Sequence, residues 1–223
     1  MTETEWLEST DPHAMLDYLT DCDDHRKFRL FACGCSRLAA LKWTGESGAT
    51  FIEIAEKYAD GEATEEEVNR QRGSIRSLLG NLRAHEQEAR GWYSMITSLA
   101  SESFTAMSAN GAYYTCKTIK VFERGPGGSY IQEGRGFANI LRDIFGNPFR
   151  PSTIDPTWLI WNNRTIPKLA QTIYDDRRHD IMPILGDALE DAGCNDEQML
   201  EHCRGPGPHV RGCWVVDSIL GKK

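Results

Sequence analysis

The chain has 223 residues, of which 40% are hydrophobic and 26% are charged, and it carries a formal net charge of −8. This length suits one large domain or two small ones with an ample core, and no apolar run approaches the roughly 20 residues of a membrane helix. The acidic balance disfavours nucleic acid, because binding to phosphates depends on Lys and Arg. We therefore expect neither a membrane nor a nucleic acid as partner.

The N-terminus and the cysteines indicate a cytoplasmic protein. The first residues, Met1-Thr2-Glu3-Thr4-Glu5, are acidic, whereas a secretory signal starts basic and then turns apolar. The seven cysteines are an odd number. Without an export signal, such a set favours reduced thiols over a disulfide framework.

The N-terminal part of the chain is predicted to be helical. Asp11-Pro12 offers an N-cap followed by proline at the first helical position. Apolar stripes predict a helix from Asp24 to about Lys42 and another between Phe51 and Tyr58. Thr64 and Glu67 have the spacing of a capping box, which opens a further helix.

A glycine-rich segment over residues 124–136 is the best candidate for a domain boundary. Its sequence, Arg124-Gly125-Pro126-Gly127-Gly128-Ser129, is typical of a linker. It would separate an N-terminal helical region, residues 1–123, from a C-terminal one, residues 137–223. The same segment is also compatible with one continuous domain that it merely crosses.

The C-terminal region predicts short helices divided by Gly and Pro. Apolar spacing indicates a helix from residue 137 that stops at Gly146, with Pro148 preventing its continuation. Asp155-Pro156 begins a short turn, Thr165–Tyr174 is the next helix, and Val210–Leu220 is the last. The predicted fold class is all-α, built of packed short helices and helical hairpins with a Gly/Pro-rich C-terminal region.

Cysteine and histidine residues near the C-terminus form a candidate metal site. Thiolate and imidazole are the donors that zinc prefers, and Cys203, His209 and Cys213 supply them, with Cys194 and His202 close in sequence. However, there is no Cys-x-x-Cys pair, and the adjacent His202 and Cys203 project about 100° apart on a helix. The simpler interpretation packs Cys203 and Cys213 into the core. No cofactor is predicted from a motif, and zinc is the metal that these donors would bind.

Two further chemical interpretations involve the same segment. His209 and Cys213 would suit a thiol nucleophile with its base, but Asp217 would then contact Cys213 instead of orienting His209. Arg204-Gly205-Pro206-Gly207 resembles an anion-binding loop. Its proline removes an amide, so a tight connection between helices is the simpler interpretation.

Bulky aromatic residues and arginines suggest where a protein partner would bind. An exposed pair formed by Trp158 and Trp161 would mark an interface, and Arg150 and Arg204 lie in the flanking Gly/Pro segments. The leading hypothesis is a non-enzymatic protein-interaction or regulatory module, since no catalytic constellation or cofactor motif is present. The alternative is a metal- or thiol-dependent enzyme, or a zinc module, that uses the Cys203, His209 and Cys213 region.

Several segments together resemble an uncharacterised domain family that is heavily expanded in planctomycete bacteria. The resemblance spans nearly the whole chain and is most specific after residue 140. It implies an intracellular bacterial protein from a large paralogous set, and it implies no activity, cofactor or catalytic residue. The segments that carry it are Glu5-Trp6-Leu7 with Asp11-Pro12, Arg29–Cys33, Ala55–Gly61, Asp143–Pro151 (DIFGNPFRP) and Arg204–Asp217 (RGPGPHVRGCWVVD).

Overall fold

The computed structural model describes residues 1–81, 108–109 and 131–222, and all regular structure in these ranges is helical. The predicted all-α class is therefore confirmed. The helices in chain order are α1 (Glu3–Glu8), α2 (Pro12–Tyr18), α3 (His25–Ala59), α4 (Glu65–Asn81), α5 (Ile131–Phe145), α6 (Pro156–Asp176), α7 (Met182–Asp191), α8 (Glu197–Arg204) and α9 (Trp214–Leu220), with a 3₁₀ turn at His179–Ile181.

The contacts divide the chain into two compact units. The first comprises Met1 and Ser9–Ala138, and the second comprises Thr2–Glu8 and Asn139–Lys223. The predicted linker, residues 124–136, lies largely outside the described residues, and its last six residues form the beginning of α5. No helix in the described ranges combines the length and apolar character that crossing a membrane requires.

Helix α3 folds back on itself within the first unit. Arg26 donates from Nε to Asp60 Oδ1 at 2.9 Å, and Arg37 makes two hydrogen bonds of 2.8 and 2.9 Å to Glu56. A straight helix would separate residues 26 and 60 by about 50 Å. The span therefore reverses direction between Arg37 and Glu56, and its two arms match the two helices that the sequence predicts.

Side-chain caps begin the helices of the first unit where the sequence predicts them. Asp11 Oδ1 accepts a hydrogen bond from the His13 amide at 3.1 Å at the start of α2. At the start of α4, the Thr64 amide donates to Glu67 Oε2 at 2.8 Å, and the Glu67 amide donates to Thr64 Oγ1 at 3.3 Å. The capping box is thereby confirmed.

In the second unit, α1 is held against the end of α5. The Trp6 indole donates from Nε1 to the Gly146 carbonyl at 2.9 Å, and Arg142 donates from Nε and an Nη atom to the Trp6 carbonyl at 3.0 and 2.8 Å. Trp6 is fully buried. The end of α5 and Gly146, which follows it, therefore hold the N-terminal helix through Trp6.

Helix α6 is interrupted by a left-handed turn. Asp155 caps its start by accepting from the Thr157 amide at 2.8 Å. Trp161 is extended, and Asn162, Asn163 and Arg164 have φ values of 43°, 56° and 62°. The break explains how Pro167 is accommodated, because a proline in a continuous helix clashes with the carbonyl four residues earlier.

The remaining helices enclose the core of the second unit. Helix α7 packs against α6 and α8, and α9 packs against α6. The final helix begins at Trp214 and not at the predicted Val210, because Gly212 has a φ of 94° that an α-helix does not allow. The core side chains include Trp158, Ile166, Ile173, Met182, Leu185, Leu189, Met199, Cys203, Val215 and Ile219.

Candidate metal centre

Four side chains from four places in the second unit converge on one point. Asp143 comes from the last turn of α5, His202 from α8, His209 from the Gly/Pro loop, and Cys213 from the residue that caps α9. One ligand atom from each lies within 4.8 Å of the other three. This group could hold a metal ion.

Asp143 is the centre of the group and is 1% exposed. Its Oδ1 lies 2.8 Å from His209 Nδ1 and 3.1 Å from His202 Nε2, while Oδ2 accepts the Val210 amide at 2.8 Å. Burial alone would raise the pKa of this carboxyl, but the hydrogen bonds from the two histidines outweigh burial and lower the pKa. The carboxylate is therefore ionised, with one oxygen facing the cluster and the other fixed by the backbone.

His202 presents a single ring nitrogen to two neighbours. Its Nε2 lies 3.1 Å from Asp143 Oδ1 and 3.2 Å from Cys213 Sγ. In a catalytic triad the carboxylate holds one imidazole nitrogen and the nucleophile contacts the other. Here both neighbours share the same nitrogen, which is how donors are arranged around a common ion.

His209 is held by the Gly/Pro loop with its ring almost entirely buried. Its side chain is 7% exposed, and the rings of His202 and His209 meet edge to face with centroids 4.9 Å apart. Within the described residues, Nε2 of His209 is buried without a hydrogen-bond partner. An unpaired buried nitrogen costs free energy. Among the described hydrogen bonds, only the one at Nδ1 offsets the burial of this ring.

Cys213 completes the group as a fully buried thiol. Burial, reinforced by the nearby Asp143 carboxylate, raises its pKa well above the ordinary range, and the amides of Val215 and Val216 offset only part of this rise. The raised pKa describes the group without a cation, and such a thiol is a poor free nucleophile. A bound cation would remove its proton and take the sulfur as a ligand.

Three of the six distances between the donors are close to those around a tetrahedral ion, and the other three are within 4.8 Å. Zinc bonds of about 2.0–2.3 Å in tetrahedral geometry place neighbouring donors about 3.3–3.7 Å apart. The contacts of 2.8, 3.1 and 3.2 Å are shorter by a few tenths of an ångström. Small outward movements of the side chains would admit the ion, so the residues fit a metal of this type.

Two of the three predicted metal ligands belong to the group and the third does not. His209 and Cys213 are present, whereas Cys203 is replaced by its neighbour His202. Cys203 is fully buried in the core, where its Cβ would lie 2.9 Å from a Cβ added at Gly186. Burial raises the pKa of this thiol to about 12, so the simpler sequence interpretation, core packing, describes Cys203.

The predicted partner-binding residues are distributed over the second unit. The Trp158 side chain is buried in the core, and Trp161 packs partly against it. Arg204 pairs with Asp187 and Glu190. Arg150 is largely exposed and bonds from Nε to Glu3 Oε1 at 2.8 Å.

Asp143 is the member of the candidate metal centre that the sequence analysis does not predict. It lies 66 residues before His209, and the DIFGNPFRP segment indicates shape more than chemistry. One local signal could have indicated Asp143. It lies next to apolar residues in the last turn of α5, and a carboxylate that is buried there is rare unless it is paired. His202 is among the candidates in the sequence, and only the packing of Cys203 selects it.

Compared with protein-family models, curated proteins and solved structures, the chain matches none. The resemblance to the planctomycete family consequently stays a prediction.

Proposed function

We propose that the chain is a zinc-binding, non-enzymatic module whose C-terminal helices are closed around Asp143, His202, His209 and Cys213. The observation that carries the proposal is the convergence of four donor atoms from buried or partly buried side chains, with Asp143 Oδ1 and Cys213 Sγ both in contact with His202 Nε2. The ion would join the end of α5, α8 and the start of α9. The Gly/Pro loop between α8 and α9 supplies His209 and brings Cys213 back to the group.

The donor set favours zinc over other abundant ions. Calcium and magnesium prefer oxygen ligands, whereas two imidazoles with one thiolate and one carboxylate suit zinc. The carboxylate and thiolate charges would neutralise the ion. The Val210 amide on Asp143 Oδ2 at 2.8 Å is the kind of outer contact that orients a ligating carboxylate.

The arrangement supports a structural ion more than a catalytic one. A catalytic zinc keeps an open position for water or substrate, whereas a structural site has four protein ligands. Asp143 and Cys213 are each 1% exposed, and the side chains of His209 and His202 are 7% and 18% exposed. A thiol-dependent enzyme is less well supported, because Asp143 does not hold the second nitrogen of His202 as a triad requires.

The test is the metal content of chain purified without an affinity metal. We expect about one zinc per chain in the wild type, as a four-ligand site holds one ion, and loss of most of it in Asp143→Asn and Cys213→Ser. Cys203→Ala is the matched control, since it removes a buried cysteine outside the donor set. Cobalt substitution should give the visible absorption of a tetrahedral thiolate complex in the wild type and not in Cys213→Ser.

Equal zinc in Cys213→Ser and Cys203→Ala would contradict the proposal. Wild-type chain that is free of metal, binds none when titrated, and melts at the same temperature with and without chelator would contradict it as well.

A protein-interaction role is the second candidate, and it is compatible with a structural ion. The observation that favours it is Ile160, which is 73% exposed and precedes the partly buried Trp161 in sequence. Exposed apolar residues are partner contacts where they form part of a larger patch. Cross-linking in the native host should recover a partner with the wild type and lose it with Ile160→Asp, whereas Ile184→Asp, at another exposed isoleucine, should retain it. Equal recovery with both variants would contradict the role of this surface.

A further inference from the structure

A cavity separate from the metal centre lies between α6 and α9 in the second unit. It has a volume of about 470 Å³, and its apolar lining comes from Leu159, Pro167, Ile219 and Leu220. Small-molecule sites typically occupy about 300–1,000 Å³ and combine apolar walls with a few polar groups. The cavity is open to solvent, and its volume falls within the range of small-molecule sites.

Three polar side chains line this cavity, Arg164, Lys168 and Gln171, and the first two are cations. Arg164 and Lys168 both line it, and both are exposed. Within the described ranges, neither side chain forms an ion pair or a hydrogen bond. The nearby Gln171 amide instead holds Asp175, with Nε2 2.8 Å from Oδ2.

Other arginines in the same unit form ion pairs, unlike Arg164. Arg178 lies 2.8 Å from Asp180, and Arg204 lies 2.8 Å from Asp187. The chain as a whole is acidic, with a net charge of −8, so carboxylates are plentiful. Two neighbouring cations left unpaired beside an apolar cavity are available to an anion from solution.

One of the two cations, Arg164, has a strained backbone. Arg164 has a φ of 62° and follows two asparagines that are also left-handed. Asparagine tolerates this conformation, but arginine rarely adopts it. The turn is fixed by the Thr165 hydroxyl, which donates to the Asn162 carbonyl at 2.6 Å. Strain of this kind persists where the surroundings impose it, and it concentrates at ligand sites.

We propose that the cavity binds a small amphipathic anion. An apolar body of several carbons would lie against Leu159, Pro167 and Ile219. Its carboxylate or phosphate head would bind Arg164, whose guanidinium forms two parallel hydrogen bonds to such groups, with Lys168 as the second cation.

The test is calorimetric titration of the purified full chain with octanoate and with octyl phosphate. We expect a Kd of about 0.1–1 mM for the tighter of the two, as is reasonable for a ligand of roughly ten non-hydrogen atoms. Octanol lacks the charge and acetate lacks the apolar body, so each should bind at least about tenfold more weakly. The tighter of the two anions identifies the head group.

Lys168→Gln leaves the left-handed turn untouched and should weaken binding about tenfold, and Arg164→Gln should weaken it by about as much or more. Arg135→Gln removes an exposed arginine outside the cavity and should leave the Kd unchanged. All three variants should retain their zinc, which separates this proposal from the one on the metal centre. Octanol binding as tightly as octanoate, no detectable binding of either anion, or an unchanged Kd in both cavity variants would overturn the proposal.

Discussion

Gly146 occupies a position where backbone conformation and packing both exclude a side chain. Its φ is 64°, and a Cβ added there would lie 3.1 Å from Cγ of Trp214. Its carbonyl also accepts the Trp6 indole hydrogen bond at 2.9 Å. Trp214 in turn lies beside His202, with ring centroids 5.4 Å apart. Gly146 thus lies against both Trp6, which holds α1, and Trp214, which lies beside His202 of the candidate metal centre.

We expect Gly146→Ala to destabilise the chain by about 2–3 kcal/mol, which combines left-handed strain with displacement of the Trp214 ring. Gly221→Ala is the matched control, because Gly221 has a similar φ of 67° with nothing within 4 Å of an added Cβ. It should cost only the strain, about 1 kcal/mol. Urea unfolding measures both, and equal costs would show that the contact with Trp214 contributes nothing.

At Arg164 we expect a gain in stability on substitution, because Arg164 has a left-handed backbone that glycine adopts without strain. A left-handed residue with a Cβ costs about 1–2 kcal/mol, and glycine loses about 0.5–1 kcal/mol through its greater freedom in the unfolded chain. Arg164→Gly should therefore raise the free energy of unfolding by about 0.5–1 kcal/mol. Arg164→Ala keeps the Cβ and should give no such gain. A loss of stability in the glycine variant would mean that the turn is not strained.

At the scale of elements, the caps decide where the helices that carry ligands begin. Asp196 Oδ1 accepts the Met199 amide at 3.2 Å and so begins α8, which carries His202. Asp155 does the same for α6, which carries no ligand. Both caps are aspartates that accept a backbone amide, but only α8 carries a residue of the candidate metal centre.

Asp196→Ala should cost about 1 kcal/mol of stability and should also weaken zinc binding, since the helix that positions His202 loses its cap. Asp155→Ala should destabilise the chain while leaving zinc affinity unchanged. Unfolding curves and a competitive zinc titration distinguish the two effects. Equal zinc affinities in both variants would show that the α8 cap does not position His202.

Local signals in the sequence predict the starts of α2, α3 and α4 and the end of α5, because caps and stripes act within a few residues, but they misplace the starts of α5 and α9. The Thr64 and Glu67 capping box and the break before Thr165 are examples. The start of α8 shows the limit of such signals, because Asn195 and Gln198 have capping-box spacing but the cap is Asp196. Neighbouring polar residues compete for such a position, and tertiary packing selects one of them.

Of the four residues in the candidate metal centre, the sequence predicts two as ligands, because tertiary packing selects the other two. His209 and Cys213 are visible because they lie in one short, unusual segment. The choice between His202 and Cys203 depends on which side of α8 faces Gly186. Asp143 depends on a contact between residues 66 positions apart, and no local pattern encodes a contact of that range.

For the whole molecule, the position of the centre determines which part a metal would stabilise. All four donors belong to the second unit, and they connect the C-terminal turn of α5 with α8 and the start of α9. An ion that binds only the folded state stabilises it by mass action, by about 2.7 kcal/mol at a free concentration 100 times the Kd. That stabilisation should be confined to the helices that the ion connects.

Removing the metal should therefore affect amide exchange unevenly along the chain. After treatment with a chelator, we expect amides of α8, the loop over residues 205–213 and α9 to exchange up to about 100-fold faster, as the loss of that binding energy implies. Amides of the hairpin α3 and of α4 should exchange at unchanged rates, because neither helix carries a donor. Hydrogen exchange read by mass spectrometry compares all these segments in one sample, and Cys213→Ser should resemble the chelated wild type without any chelator. A uniform acceleration would assign the effect to global unfolding instead, and no acceleration anywhere would mean that the four side chains hold no ion that the fold depends on.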